Sequence, residues 1–417
     1  MSKLGLFHAL KMTMLMCVSI STAYAEQSRE SELSKTVEDL KKRLEQLERR
    51  DAKPSRNNNG GKVEWEVGGY AKLDMVYSST SAGANSLGDE FLISALVPTS
   101  SDGEDDQIKL TARESRLWVK ANSQADGSTI NFLIEGDFFG NKPSSSETLN
   151  NNSDFRLRQA FGEVSTKSAG RYLMGQAWTT FQNLSAFPHT TTLGELPGQA
   201  FSRTPMIRWT MPFDGDSVQL AIENPETHLR DSSNNAVRPD DDRIPDFIAR
   251  YNLKKHSVSA LLRQLRCDMP GSCSDSQQAW GVSVAGRIDF GKRDQLRYQA
   301  HWGDGIGRFV SGTVFPGGII DSAGGIDLVD VRAFMLSYQH RWASSWNSAL
   351  IFNTAKADGL DSVTSATEEV TTYHINTMWL PTKNMRVSLE YIRAESERIS
   401  GLEGDLDRVI FSTKYNF

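Results

Sequence analysis

"VEWEVGGYAKLDMVY", residues 63–77, decides how the rest of the chain is read. Val63, Trp65, Val67, Ala71, Leu73, Met75 and Tyr77 fall on one face of an extended strand; Glu64, Glu66, Tyr70, Lys72 and Asp74 fall on the other. Successive side chains of a strand point to opposite faces, so this is a long strand with one apolar and one polar side. The same period recurs at about 106–120, 129–139, 155–167, 171–178, 202–213, 216–224, 243–252, 256–266, 278–290, 293–303, 330–342, 344–356, 370–380, 384–395 and 405–417, which makes sixteen strands.

The connections alternate in length. "KSAG", "DGD", "KK", "GKRD" and "AS" are tight turns, whereas "SSTSAGANSLGDEFLISALVPTSSDGED" and "GDGIGRFVSGTVFPGGIIDSAGGIDLVD" are long excursions. An even number of antiparallel strands with short turns at one end and long loops at the other describes an outer-membrane barrel. A soluble barrel would turn its apolar side inward. The set here is too large for any internal core, so it faces lipid while the polar side lines water. Tyr70, Tyr77, Trp209, Phe213, Tyr251, Trp302, Trp342, Trp379, Tyr391 and Tyr415, near strand ends, suit aromatic girdles at the two interfaces. The fold class is therefore all-β: a 16-stranded antiparallel transmembrane β-barrel, preceded by a short coiled-coil helix.

Composition agrees. A formal net charge of -6 argues against a nucleic-acid partner. No run of about 18 apolar residues exists, which excludes a transmembrane helix but not a barrel, whose alternating strands escape hydropathy averages. "MSKLGLFHALKMTMLMCVSISTAYAEQ" reads as a secretory signal peptide over 1–25, with Ala23-Tyr24-Ala25 as the cleavage site. In 26–50, Leu33, Val37, Leu40, Leu44 and Leu47 follow the four-three spacing of a coiled-coil seam. Two to three heptads are marginal alone, so the helix is expected to zip with copies of itself. Residues 51–62, with a proline, three asparagines and two glycines, form a linker to the barrel domain at 63–417. Cys267 and Cys273 in "CDMPGSC" are expected to form a loop disulfide, with a metal pair the weaker reading because no His lies nearby.

With the apolar face outward, alternation gives the lumen. In "DFRLRQAFG", Phe155, Leu157 and Phe161 face lipid while Arg156 and Arg158 face in. Arg208, Arg250, Arg297, Arg386, Arg408 and Lys414 follow by the same logic, and Arg116 and Arg263 join them where no bulge intervenes. Asp74, Glu135, Asp137 and Glu390 also point in, but most of the acidic excess sits in predicted outer loops such as "NPETHLRDSSNNAVRPDDDR". An arginine-rich lumen is what an anion pathway uses, and planar guanidinium suits carboxylate and phosphate. The bland alternative is that arginines paired with acids brace the wall. Sixteen strands leave an aqueous channel, so something should narrow it. The loop at about 179–201, "TTFQNLSAFPHTTTLGELPGQAF", is almost uncharged and is expected to fold inside, with Phe187, Pro188 and His189 at the constriction.

In order and spacing, "GGYAKLDMVY", "SRLWVK", "EGDFFG", "FRLRQAFGEV", "GQAWTTF" and the terminal aromatic make the chain resemble the DcaP-like porins of Gram-negative bacteria. The resemblance implies a homotrimer of sixteen-stranded barrels in the outer membrane, with periplasmic N-terminal helices and uptake of small anionic solutes, including dicarboxylates. Val at a with Leu at d would by itself lean to a dimer, so the trimer rests on the resemblance.

No enzyme is expected, because the histidines are scattered and no nucleophile motif accompanies them; neither cofactor nor metal is expected. Competing readings are a general or sugar-selective diffusion porin and a structural or adhesive barrel. Val409, Phe411, Thr413, Tyr415 and Phe417 form the outward face of the closing strand, expected to pair with 63–77 so that no edge is left in lipid. By resemblance, Tyr415 and Phe417 also form the signal read by outer-membrane assembly machinery.

Overall fold

The computed structural model describes residues 63–80, 92–99, 106–125, 127–140, 151–192 and 196–417, with Glu38, Lys42, Glu90 and Gly194 as single positions. The expected signal peptide, the linker and the heptad residues Leu33, Val37, Leu40, Leu44 and Leu47 lie outside the described residues.

Sixteen strands among the described residues form the barrel: β1 (Val63–Ser78), β2 (Gln107–Thr111 continued by Arg116–Ala125), β3 (Ser128–Asp137), β4 (Arg156–Thr166), β5 (Gly170–Trp178), β6 (Arg203–Phe213), β7 (Asp216–Glu223) and β8 (Asp246–Leu253), then β9 (His256–Met269), β10 (Cys273–Phe290), β11 (Asp294–Asp304), β12 (Asp330–Ala343), β13 (Trp346–Asp358), β14 (Thr367–Thr382), β15 (Met385–Arg398) and β16 (Glu403–Asn416). Each pairs antiparallel with the next. The seam closes with β16 on β1, in register from Tyr70↔Asn416 to Ser78↔Arg408. β2 is one barrel strand interrupted by a turn at Ala112–Ser115; both of its pieces pair with β1.

Closure satisfies every strand edge, which lipid requires. The outward face carries Leu73, Met75, Ile130, Phe132, Ile134, Leu220, Ile222, Val258, Leu262, Leu350 and Phe411, all exposed. A soluble monomer rarely exposes contiguous apolar area beyond a few hundred Å². A hydrocarbon environment stabilises the same surface. Tyr77, Phe213, Tyr251, Trp302, Trp342, Trp379, Tyr391 and Tyr415 are exposed on that face, as the girdle expects. Tyr70 is not: it is buried on the inner face, beneath Lys414 Nζ at 3.9 Å from the ring centre, with the Arg116 guanidinium at 5.4 Å. Its strand parity matches Lys72 and Asp74, and parity outranks position near a strand end.

The β3–β4 ladder corrects a second expectation. Glu135 pairs with Gln159 but Gly136 pairs with Leu157, leaving Arg158 as the extra residue of a bulge. One inserted residue reverses the facing of everything beyond it. Phe161 therefore packs inward with Leu173, Ala177 and Met206, while Val164 is exposed outward.

Three of the long connections turn into the barrel. Residues 92–99 place Leu92 and Val97 against the inward Val76, Ile392, Ala394, Leu406 and Ile410. The loop at 179–202 crosses the lumen. The loop at 305–329, expected as an outer excursion, buries Ile306, Phe309, Val310, Phe315 and Val329 completely. At the outer end of β9 and β10, pairing continues to Met269↔Cys273, so Cys267 and Cys273 are joined across a hairpin rather than within an open loop. Their Cα atoms are 5.6 Å apart, and both side chains pack with Leu229, Leu265, Ala279, Ile320 and Ile326.

Candidate functional site

The inner wall and the loop at 179–202 together build the candidate site. Thr180 and Thr191 are the loop's two moorings. Glu223, at the end of β7, accepts from the Thr180 amide at 2.6 Å and from Thr204 Oγ1 at 2.7 Å. Glu390, on β15, accepts from the Thr191 amide at 2.5 Å and from Asn376 Nδ2 at 3.2 Å, and lies 2.8 Å from His374 Nδ1. Between these moorings Asn183 donates to Ser257 Oγ at 3.0 Å, Gln299 donates to the Ala186 carbonyl at 3.1 Å, and Asn376 donates to the His189 carbonyl at 2.6 Å. The loop thus runs from β5 across to β14 and β15. Its base is an aromatic cluster: Trp178 meets Phe187 at 5.3 Å and Phe201 at 5.0 Å.

Nine of the ten inward cations expected from alternation fall into two classes. Arg158 pairs with Glu135 at 2.9 Å and with Asp137 at 2.7 Å. Arg156 meets Asp137 through two bonds of 3.0 Å, and Arg116 reaches Glu135 at 3.6 Å. Arg263 pairs with Asp246 at 3.2 Å and donates to the Glu226 and Gly305 carbonyls. These four are braced by carboxylates, as the bland alternative would have it.

The second class meets neutral partners. Arg208 donates to the Trp178 carbonyl at 3.3 Å, and Arg250 to the Thr180 carbonyl at 3.2 Å and to that of Gln182. Arg297 donates to Gln339 at 3.0 Å and Gln295 at 2.6 Å. Arg386 donates to the Thr191 carbonyl at 2.8 Å, and Lys414 lies over Tyr70. Among the described residues none of these five forms an ion pair. Arg408 donates to Ser78 Oγ at 2.9 Å.

Three more arginines belong here. Arg203 lies over Trp178 at 4.7 Å, in the electrostatic neighbourhood of Arg116, Arg156 and Arg158. Burial, and after it the charge of Arg297, Arg386, Arg287 and Arg341, pushes the His189 imidazole down to about 3. The sequence reading missed the last two, although the alternation carries the signal for them: Val284 and Ile288 face out around Arg287, and Trp342 faces out beside Arg341. His189 thus has four guanidinium groups in its electrostatic neighbourhood, one of which, Arg287, pairs with Asp289 at 3.2 Å.

No curated protein matches the chain. Among solved structures, the crystal structure of the outer membrane channel DcaP of Acinetobacter baumannii is similar at 20% identity with a TM-score of 0.71, covering 85% of this chain and 97% of that one. OmpF of Salmonella typhi, solved as a complex with daunomycin, aligns at 12% identity and TM-score 0.54 over 87% of this chain and 99% of that one. OmpT of Vibrio cholerae aligns at 12% identity and TM-score 0.52 over 88% and 100%. At such identities the likeness is one of fold. A family model described as DcaP outer membrane protein matches residues 67–417, and the chain belongs to that family.

Proposed function

We propose that the protein is an outer-membrane porin through which small anionic solutes, dicarboxylates among them, diffuse passively, with the loop at 179–201 as the constriction. The observation that carries this reading is the set of lumen cations without a carboxylate partner: Arg208, Arg250, Arg297, Arg386 and Lys414. A guanidinium already neutralised by Asp or Glu offers little to a passing anion; one that meets only carbonyls, amides or a ring retains its field and free N–H groups. Phe187, Pro188 and His189 form the loop limb facing that field. A sugar track would need open aromatic faces, whereas Trp178 lies beneath Arg203 and makes T-shaped contacts with Phe187 and Phe201.

The subunit is taken to assemble as a homotrimer in outer-membrane lipid, with its N-terminal helix periplasmic. A trimer form of the Vibrio cholerae OmpT, with a TM-score of 0.52 to this chain, supports that assembly. The test is single-channel recording in planar bilayers under a KCl gradient. A reversal potential showing anion preference, with dicarboxylates blocking the chloride current, is the expected result. Strong cation preference would overturn the reading.

A further inference from the structure

The loop at 305–329 contributes none of the cations or moorings described above, yet it is among the most deeply buried of the described segments. Ile306, Phe309, Val310, Phe315, Ile319 and Val329 form one apolar cluster with the inner wall. The wall contributes Ala221 from β7, Ile248 from β8, Leu261 from β9, Ala333 from β12, Ala355 and Ala357 from β13, and Val370 from β14. On β10 the wall residue is Gly281, where a Cβ would come within 2.6 Å of Ile306 Cγ2. Alanine and glycine at these inward positions leave room that the loop's large side chains fill. An apolar arc of a water-filled lumen would be costly unless covered, and here it is covered by its own loop.

The loop is also tied to the constriction. Val310 and Ala200 form an antiparallel bridge, the Phe201 amide donates to the Phe309 carbonyl at 3.0 Å, and the Ser311 amide donates to the Gln199 carbonyl at 3.0 Å. Phe181 and Ala200 of the first loop belong to the same apolar cluster. The cations Arg386, Arg408, Lys414, Arg116, Arg156, Arg158 and Arg208 lie on the other arc, β15 and β16 through β2, β4 and β6, while Arg250, Arg263 and Arg297 stand on β8, β9 and β11, strands that also contribute to or flank the apolar cluster.

We propose that the loop at 305–329 is a second wall of the permeation path and a determinant of its selectivity. It covers the apolar inner positions of β7 to β14, backs the constriction loop, and narrows the passage left to solute beside the lumen cations. The inference rests on the porin reading above, and it differs from that reading in locating selectivity partly in a segment whose charged residues are one arginine and two aspartates, Asp321 and Asp327. Arg308 is the loop's one cation, and it pairs with Asp246 at 3.4 Å while donating to the Asn224 carbonyl at 2.7 Å.

The geometry supplies a direct test. Gly305 N donates to the Val329 carbonyl at 2.9 Å, so the ends of the loop are adjacent and residues 306–328 can be replaced by a short Gly-Ser linker. In planar bilayers the excision should raise single-channel conductance by about twofold or more, because lumen width sets conductance, and should bring the anion-to-cation permeability ratio towards one. A full-length Phe309→Ala/Phe315→Ala variant, which thins the wall without opening the chain, should move both quantities in the same direction by a smaller factor. Heat resistance of the assembled protein would fall in either variant even if the loop were merely structural; the permeability ratio would not. Unchanged conductance and unchanged ratio in the excision variant, or in the double alanine variant if the excision does not assemble, would overturn the proposal. Cation preference in the wild type would defeat the anion reading alone, since the conductance change would still report on the loop.

Discussion

Glu390→Ala should loosen the constriction. In the folded protein the Glu390 carboxylate accepts from the Thr191 amide at 2.5 Å and from Asn376 at 3.2 Å, with His374 Nδ1 at 2.8 Å. The Thr191 bond joins loop to wall; the other two lie within the wall. Two further ties hold the same limb, from Asn376 to the His189 carbonyl at 2.6 Å and from Arg386 to the Thr191 carbonyl at 2.8 Å. A hydrogen bond to a charged group contributes about 1.5–3 kcal/mol, so removing the Thr191 mooring should weaken the docked limb by about 2 kcal/mol. Such a change raises the undocked population about 30-fold. Lid and loop excursions of this size occur in microseconds to milliseconds, within reach of current recording. The trace of Glu390→Ala should therefore show added open-channel noise and brief steps of higher conductance. Glu390→Gln keeps an acceptor oxygen for Thr191 and should resemble the wild type more closely. If Glu390→Ala gives a trace with wild-type noise and mean conductance, Glu390 is not a mooring of the constriction and the reasoning fails.

Other expectations follow from the two classes of arginine. Arg158→Ala leaves Glu135 and Asp137 short of their partner in a buried network and should cost about 3–5 kcal/mol, visible as lower heat resistance of the assembled barrel. Arg386→Ala removes a cation with no ion pair, so assembly should stay at wild-type level while the anion-to-cation permeability ratio falls in reversal-potential measurements. His189 has its pKa depressed from 6.5 to about 3, so the folded protein binds fewer protons there than the unfolded chain between those values. The stability this supplies is present above pH 6.5 and declines as pH falls towards 3; His189→Gln should flatten the acid limb of a melting-temperature profile. Replacing both Cys267 and Cys273 by serine opens a cross-link with a sequence separation of 6, worth about 2 kcal/mol by loop entropy, and should lower melting temperature in the oxidised protein only.

What the sequence revealed and what it concealed have distinct physical causes. Strand period and turn spacing are local, and both are governed by pleat geometry, so all sixteen strands could be placed and the outward faces of β1, β11 and β16 read residue by residue. The facing of Phe161 could not be, because it depends on a bulge at Arg158, and a bulge is a relation between two strands. Which arginines are neutralised is likewise a matter of register: Arg158 meets Asp137 and Glu135 only because β4 lies beside β3 with that offset. Tyr70 shows the reverse case, where correct parity was available and the appeal of an interfacial aromatic obscured it.

The two inward loops make the sharper point. The loop at 179–202 was legible because it is long and uncharged among acidic neighbours. The same test applies to "IGRFVSGTVFPGGII", which has one charge, Arg308, and seven apolar residues of valine size or larger besides its prolyl and glycyl turns. Its inward fate follows from the wall it meets. A lumen lined throughout by charge would have kept such a segment outside, because burying it there would strand unpaired polar groups. The inner face of β7 to β14 instead offers Ala221, Ile248, Leu261, Ala333, Ala355 and Ala357. These apolar inward residues are exceptions to the polar face, and exceptions to a strand's alternation mark where a second layer lies. In a wide barrel, polar inward positions therefore indicate where water runs, and apolar inward positions where the chain folds back on itself.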